Sequence, residues 1–192
     1  MGKPIKIVLA GEGGQGVQSV AEILAEAANE KGREALYIPN FGVEQRGGVS
    51  VAYLQIGDEP MGAPKFQIAD IVIALSDRAV TRTRKYVGPE TVFVYDSGIE
   101  NIQDELPTNT DKIYAIPAIE VSKKELHPRV FNVIIMGAVL KATGVVAMDD
   151  AKNAIEKKLG YKFEKNPELR EMNFKAMDRG AELVADLSSH SQ

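Results

Sequence analysis

The chain has 192 residues, 44% hydrophobic and 26% charged, a balance that suits one globular domain and excludes a collagen-like or wholly disordered polypeptide. Its formal net charge of −4 lacks the basic face needed to neutralise a phosphate backbone, so nucleic acid is not an expected partner. Cysteine is absent, which excludes a disulfide, a thiolate-held iron–sulfur cluster and a thiol nucleophile on this chain.

No apolar run approaches the roughly 20 residues a membrane span needs. The opening residues reach a strand and a glycine turn too early for a signal peptide, so a cytoplasmic location is expected. Only His127 and His190 offer imidazole nitrogens. Neither has a partner at ligand spacing, and no metal site is expected. Composition points to one domain over residues 1–187, with 188–192 a polar tail.

Lys6 to Ala10 is a short apolar run ending at Gly11, the pattern of a strand covered on both faces in a parallel sheet. Val17, Val20, Ala21, Leu24, Ala25 and Ala28 then recur at helical spacing, and Gly32 supplies a stop. Ala35 to Ile38 reads as the next strand, which makes the opening a strand, glycine turn, helix, strand unit. A polar glycine-rich loop follows from Pro39 to Gly48, then a strand from Ser50 to Ile56. Ile71 to Leu75 and Thr91 to Tyr95 read as buried strands with a helical segment between them, and Lys112 to Ile116 as another strand.

Val130 to Thr143 is an almost wholly apolar helix stopped by Gly144. Asp149 is expected to cap a helix ending at Gly160, and Asn166-Pro167 to open a long helix whose stripe runs Leu169, Met172, Ala176, Gly180, Leu183, Val184, Leu187. Alternating strands and helices predict a three-layer α/β/α sandwich with a Rossmann-like, mostly parallel or mixed sheet and a helical C-terminal segment.

The chemistry-bearing feature is Gly11-Glu12-Gly13-Gly14-Gln15-Gly16, which satisfies G-x-G-x-x-G between a strand and a helix. Backbone N–H groups and the helix dipole at such a turn favour a phosphate or carboxylate. The competing reading is that the glycines only permit a tight turn and close helix–strand packing. Two elaborations of the turn fail. A nucleotide-hydrolysing loop needs lysine and a hydroxyl where Val17-Gln18 stand. A dinucleotide site wants an acid at the end of the second strand, which here reads Tyr37-Ile38-Pro39-Asn40. A second constellation, Arg46-Gly47-Gly48, carries a planar, permanently charged fork on backbone able to approach a ligand closely. Its chemistry suits a carboxylate or phosphate, with a surface arginine paired to Glu44 as the alternative.

Together the two loops resemble the gamma subunits of 2-oxoacid:ferredoxin (acceptor) oxidoreductases and the equivalent domain of single-chain pyruvate:ferredoxin oxidoreductases. The family's G-x-G-G-Q-G-V stands as Gly11 to Val17, and its aromatic-G-P-E-x-R-G-G loop as Phe41 to Gly48. Phe41 replaces the usual tyrosine and Val43 the usual proline. Ala63-Pro64-Lys65, Ala69 to Val72, and Asn132 with Gly137 also resemble the family.

The resemblance implies a multi-subunit enzyme that decarboxylates a 2-oxoacid oxidatively to acyl-CoA and CO2. Thiamine diphosphate with Mg and the iron–sulfur clusters would belong to partner chains, namely thiamine-binding alpha/beta-type subunits and a ferredoxin-like subunit. Coenzyme A would be co-substrate and ferredoxin or a similar protein the acceptor. It further implies that Gly11, Gly13, Gly14, Gln15, Gly16, Arg46, Gly47 and Gly48 help bind substrate or coenzyme at the partner's thiamine site, with no catalytic residue of their own. A non-catalytic scaffold subunit, or a stand-alone Rossmann-type NAD(P)-binding oxidoreductase, are the other readings.

Overall fold

A computed structural model of the chain describes residues 2–41, 48–63 and 65–189. Twelve main elements follow in chain order. They are β1 (Ile5–Glu12), α1 (Val17–Glu30), β2 (Glu34–Asn40), β3 (Val49–Gly57), β4 (Ile71–Ala74), α2 (Asp77–Thr83), β5 (Val92–Asp96), β6 (Ile113–Ile116), α3 (Ala118–Glu125), α4 (Phe131–Thr143), α5 (Met148–Lys165) and α6 (Glu168–Ser189). The strands form one six-stranded mixed sheet in the order β2-β3-β1-β4-β5-β6.

β1, expected inside a parallel sheet, is parallel to β4 on one side and antiparallel to β3 on the other. The opening strand–helix–strand unit does place β2 parallel to β1, but β3 lies between them and pairs antiparallel with both. Periodicity records which residues are buried and says nothing of which strand lies alongside, so this insertion was invisible in the apolar pattern. β4, β5 and β6 continue the parallel half.

Side-chain alternation divides the core between the two sheet faces. On one face Ile7, Leu9, Leu54, Ile56, Ile73 and Val94 pack against α1, α4, α5 and α6. On the other, Val8, Ala10, Val51, Val72 and Phe93 meet α2 and neighbouring turns. The layers are therefore unequal: helices crowd the first face, whereas among the described residues α2 is the one main helix packed on the second.

The thick layer depends on the α4–α6 pair. A Cβ placed on Gly137 would collide with the Met177 carbonyl, and one placed on Gly180 with the Ile134 carbonyl and the Ala138 amide. Two side-chainless positions thus let the helix backbones touch, burying Met136, Met177 and Ala176 completely. α5 lies along α1, joined at the surface by Lys157 to Glu26 and Lys158 to Glu22. Gly160 does not end α5, which runs on to Lys165, and Asp149 sits in its first turn while Ala147 is the N-cap. Burying Phe163 (5% exposed) one turn further outweighs the roughly 1 kcal/mol that an interior glycine costs a helix.

At the carboxyl end of β5, Asp96 is fully buried and anchors α3. Its Oδ1 accepts from the Gly98 N–H (2.9 Å) and its Oδ2 from the Ile119 N–H (2.8 Å). Burial pushes the carboxyl up, and these backbone donors, with Ala118, oppose it only in part.

Gly180→Ala is expected to cost about 3 kcal/mol, because backbone rather than a flexible side chain occupies the space. Thermal unfolding should then show a Tm lowered by about 6–12 °C; an unchanged Tm would mean that α4 and α6 do not touch. The Asp96 carboxyl is raised in the folded state, so its contribution is fully present below the unfolded value of about 4 and is lost as pH rises through the folded value. Wild type should accordingly lose stability relative to Asp96→Asn as pH climbs through that window. Urea midpoints across a pH series test this, and a gap that stays constant with pH would rule it out.

Candidate functional site

α1 leaves β1 over one face of the sheet and α2 leaves β4 over the other, so the connections diverge between β1 and β4. Ligands of open α/β sheets sit at such a switch point, beyond the carboxyl ends of the strands. The glycine turn occupies this position.

Its glycines do different things. Gly14 (φ 86°) and Gly16 (φ 80°) are left-handed, a conformation that favours glycine. Gly11 has an ordinary φ, but a Cβ there would lie 2.8 Å from Gln15 Oε1 and 2.9 Å from Val17 Cγ2. Gly13 has open space on its side-chain side and is exposed. Gln15 holds the turn: its Oε1 accepts from the Glu12 N–H (2.7 Å) and its Nε2 donates to the Leu75 carbonyl just past β4 (2.9 Å). Both ends of that amide are thereby committed to backbone. Gly16 is the N-cap of α1, with no side-chain cap and no acid in the first turn. The first-turn N–H groups of such a helix lack intrahelical partners and present positive charge outward.

Gln18, at the position where a hydrolysing loop would carry its hydroxyl, has a different task. Its Nε2 donates to Ser50 Oγ (2.7 Å) and to the Val51 carbonyl (3.2 Å), and its Oε1 accepts from the Tyr37 hydroxyl (2.5 Å). Burial, then the charge of Glu22, push the Tyr37 phenol up, so it stays a neutral donor. Gln18 thus ties the first turn of α1 to the start of β3. The second loop leaves β2 after Asn40 and enters β3 at Val49, which pairs with Glu12. Both loops therefore spring from the same end of the sheet. Gly48 is described there, half-buried; Arg46 and Gly47, together with residues 42–45, lie outside the described residues.

A cavity of about 440 Å³ opens beside the turn, lined by Gly14, Gln15, Pro128, Arg129, Phe131 and Asn132. Asn132, in the first turn of α4, brings its amide against Gly16, where any side chain would collide with it. Its Oδ1 is buried and lacks a hydrogen-bond partner among the described residues. An orphaned polar atom of this kind costs about 1–3 kcal/mol unless something fills it. Arg129 is exposed and in no ion pair among the described residues. Its N–H donates to His127 Nδ1 (3.1 Å), which fixes the short 3-10 turn Pro128–Val130 leading into α4.

Asn132 carried only a resemblance signal in the sequence, and Arg129 carried none. Across 110 or more residues of intervening chain, no spacing rule links either to the glycine turn. The arrangement places helix N–H groups and a guanidinium beside one solvent-open space, which is chemistry for holding an anion, whereas the buried Asn132 Oδ1 can only accept.

A family model for pyruvate ferredoxin/flavodoxin oxidoreductase matches residues 6–183. The chain belongs to this family. Among other members, the ketoisovalerate oxidoreductase subunit VorA of Methanothermobacter thermautotrophicus is 28% identical, over 93% of this chain and 36% of its own length. The chain thus spans about a third of that relative. The 2-oxoglutarate synthase subunit KorC of Methanothermobacter marburgensis is 32% identical, over 94% of this chain and 97% of its own. The solved 2-oxoglutarate:ferredoxin oxidoreductase from Magnetococcus marinus, with 2-oxoglutarate, coenzyme A and succinyl-CoA bound, superposes with a TM-score of 0.86 at 26% identity. That match covers 97% of this chain and 32% of the other. This chain thus shares its fold with part of that enzyme, and the family match includes the glycine turn.

In this domain Gly16→Ala should be more disruptive than its φ alone implies, since the new methyl meets Asn132. A loss of about 2–3 kcal/mol is expected, with Asn132→Gly restoring part of it in the double variant. Denaturant unfolding of all four proteins checks this. Simple additivity would mean that the two residues do not touch.

Proposed function

We propose that this chain is the gamma subunit of a multi-subunit 2-oxoacid:ferredoxin oxidoreductase, which converts a 2-oxoacid to acyl-CoA and CO2, and that it supplies one wall of a shared active site. The observation carrying the proposal is the convergence, beyond the carboxyl end of β1, of the uncapped α1 N-terminus, Arg129 and the orphaned amide of Asn132. The names of its relatives, which are subunits of ketoisovalerate and 2-oxoglutarate oxidoreductases, support the reaction class. The coenzyme A and 2-oxoglutarate bound in the Magnetococcus enzyme support the ligand class.

On this reading the turn at Gly11, Gly13, Gly14, Gln15 and Gly16, with the Arg46-Gly47-Gly48 loop, closes over the thiamine site of partner chains in the cytoplasm. Gly13 and Gly14 leave the backbone free to approach the ligand. The helix N–H groups and Arg129 orient the carboxylate of a 2-oxoacid or a phosphate of coenzyme A. Asn132 lines the same space, where its Oδ1 accepts from a ligand N–H or O–H and not from the carboxylate or phosphate itself. Thiamine diphosphate and iron–sulfur clusters, held by partner chains, would supply the electron sink for decarboxylation and the route for electrons to the acceptor. No covalent step falls to a residue of this chain.

Arg129→Ala and Arg46→Ala in the reassembled complex are each expected to raise KM for coenzyme A or for the 2-oxoacid about tenfold, the scale of one lost charge-assisted contact, with assembly intact by gel filtration. Unchanged kinetics in both variants would overturn the proposal. The packing of Gly11 and Gly16 against Leu75 and Asn132 favours a second reading, a scaffold whose loops only shape an interface. That reading requires the same substitutions to abolish assembly.

A further inference from the structure

A cavity of about 300 Å³ lies where α5 turns back into α6, on the helix-crowded side of the sheet. Leu159 and Phe163 of α5 and Leu169 and Met172 of α6 line it. Phe163 is buried, but Leu159, Leu169 and Met172 are left half-buried beside the open space. Large apolar side chains in that state gain from an apolar guest that completes their shielding from water.

His127, Arg129 and Lys162 line the same cavity. His127 Nδ1 accepts the Arg129 N–H (3.1 Å), so the neutral ring carries its proton on Nε2 and donates from there. Lys162 is exposed and in no ion pair among the described residues. On the same helix Lys152, Lys157 and Lys158 each meet an acid. Asn173, the other polar residue of the lining, is committed to its own helix, its Nδ2 donating to the Leu169 carbonyl (2.7 Å). No acid is among the described lining residues, on a chain whose formal net charge is −4. Arg129 also lines the cavity beside the glycine turn, so the two spaces share one guanidinium.

An apolar wall beside unmatched cations selects an anion with an aliphatic tail. A bare inorganic anion would leave the leucines and the methionine unshielded, and a neutral apolar guest would leave the guanidinium and the ammonium without a counter-charge. The volume, at the low end of small-molecule pockets, limits the tail to about six carbons. We propose that this cavity binds a short aliphatic monocarboxylate, its tail among Leu159, Leu169 and Met172 and its carboxylate held by Arg129 and Lys162, and that the occupied cavity draws Arg129 away from the glycine turn. That competition for Arg129 rests on the role proposed for it at the turn, whereas the binding itself does not.

Hexanoate is the probe, titrated into the full chain at low ionic strength and followed by ligand-detected NMR. Saturable binding is expected, tightening about threefold for each methylene added from acetate upward. Lys162→Met, at an exposed position that lines this cavity and not the one at the turn, should weaken it about fivefold, as should Arg129→Met. Circular dichroism verifies that both variants are folded. No saturable binding, acetate bound as tightly as hexanoate, or Lys162→Met binding like wild type would each overturn the proposal. In the reassembled complex hexanoate should raise the same KM that Arg129→Ala raises. Lys162→Met should leave that KM unchanged when hexanoate is absent and need about fivefold more hexanoate for the same rise. An equal effect in wild type and Lys162→Met means direct competition at the glycine turn and overturns the shared use of Arg129, as does hexanoate bound to the chain with KM unmoved. Unchanged kinetics in Arg129→Ala without hexanoate counts instead against the glycine-turn reading, and binding to the chain alone still stands or falls on Lys162→Met.

Discussion

The contact between Gly16 and Asn132 is the constraint on which the candidate site depends. α1 begins in a left-handed turn that glycine adopts at little cost. The missing side chain leaves room for the first turn of α4 to press an amide against that turn. α4 is a buried, nearly uniform apolar helix whose place is set by packing on the sheet and on α6. The glycine turn is thus locked to the deepest part of the core, and the cavity beside it inherits that rigidity. Gln15 and Gln18 complete the arrangement by fastening the turn to β4 and to β3.

The same economy of side chains explains the unequal layers. With Gly137 and Gly180 in backbone contact, α4 and α6 stack closely on one face and draw α5 against α1. Most of the helical mass is then spent on that face. The other receives α2 over the parallel half, while its β2–β3 half is roofed by a loop that carries Phe66 and a short 3-10 turn, Arg84–Tyr86, that carries Tyr86. That half of the face must still shield its apolar residues, and aromatic rings set edge to face do so.

The mixed sheet has a further effect. By inserting between β1 and β2, β3 turns its first residue, Val49, toward the end of β1 and brings the second glycine-rich loop to the edge from which the first one springs. A purely parallel arrangement would give the chain no return strand at that edge. That the two loops leave from one end of the sheet, although 24 residues (17–40) stand between them in the chain, is therefore a property of strand order.

The local signals in the sequence were strong where they reflect one element at a time. The apolar run before Gly11, the helical spacing from Val17, the stop at Gly32 and the long apolar helix ended by Gly144 all appear as elements within a few residues of their expected places. The family was legible as well, because its two glycine-rich motifs are contiguous in the chain. Gly160 misled, since propensity weighs a glycine without knowing that Phe163 is buried beyond it. What the sequence by itself determined was the set of elements and the turn between β1 and α1. Only the tertiary structure decided that β3 separates β1 from β2, that Asn132 and Arg129 stand beside the turn, and that Tyr53, Phe66 and Tyr86 pack edge to face. Those relations arise from long-range packing, in which residues scores of positions apart become neighbours, and no periodicity along the chain encodes them.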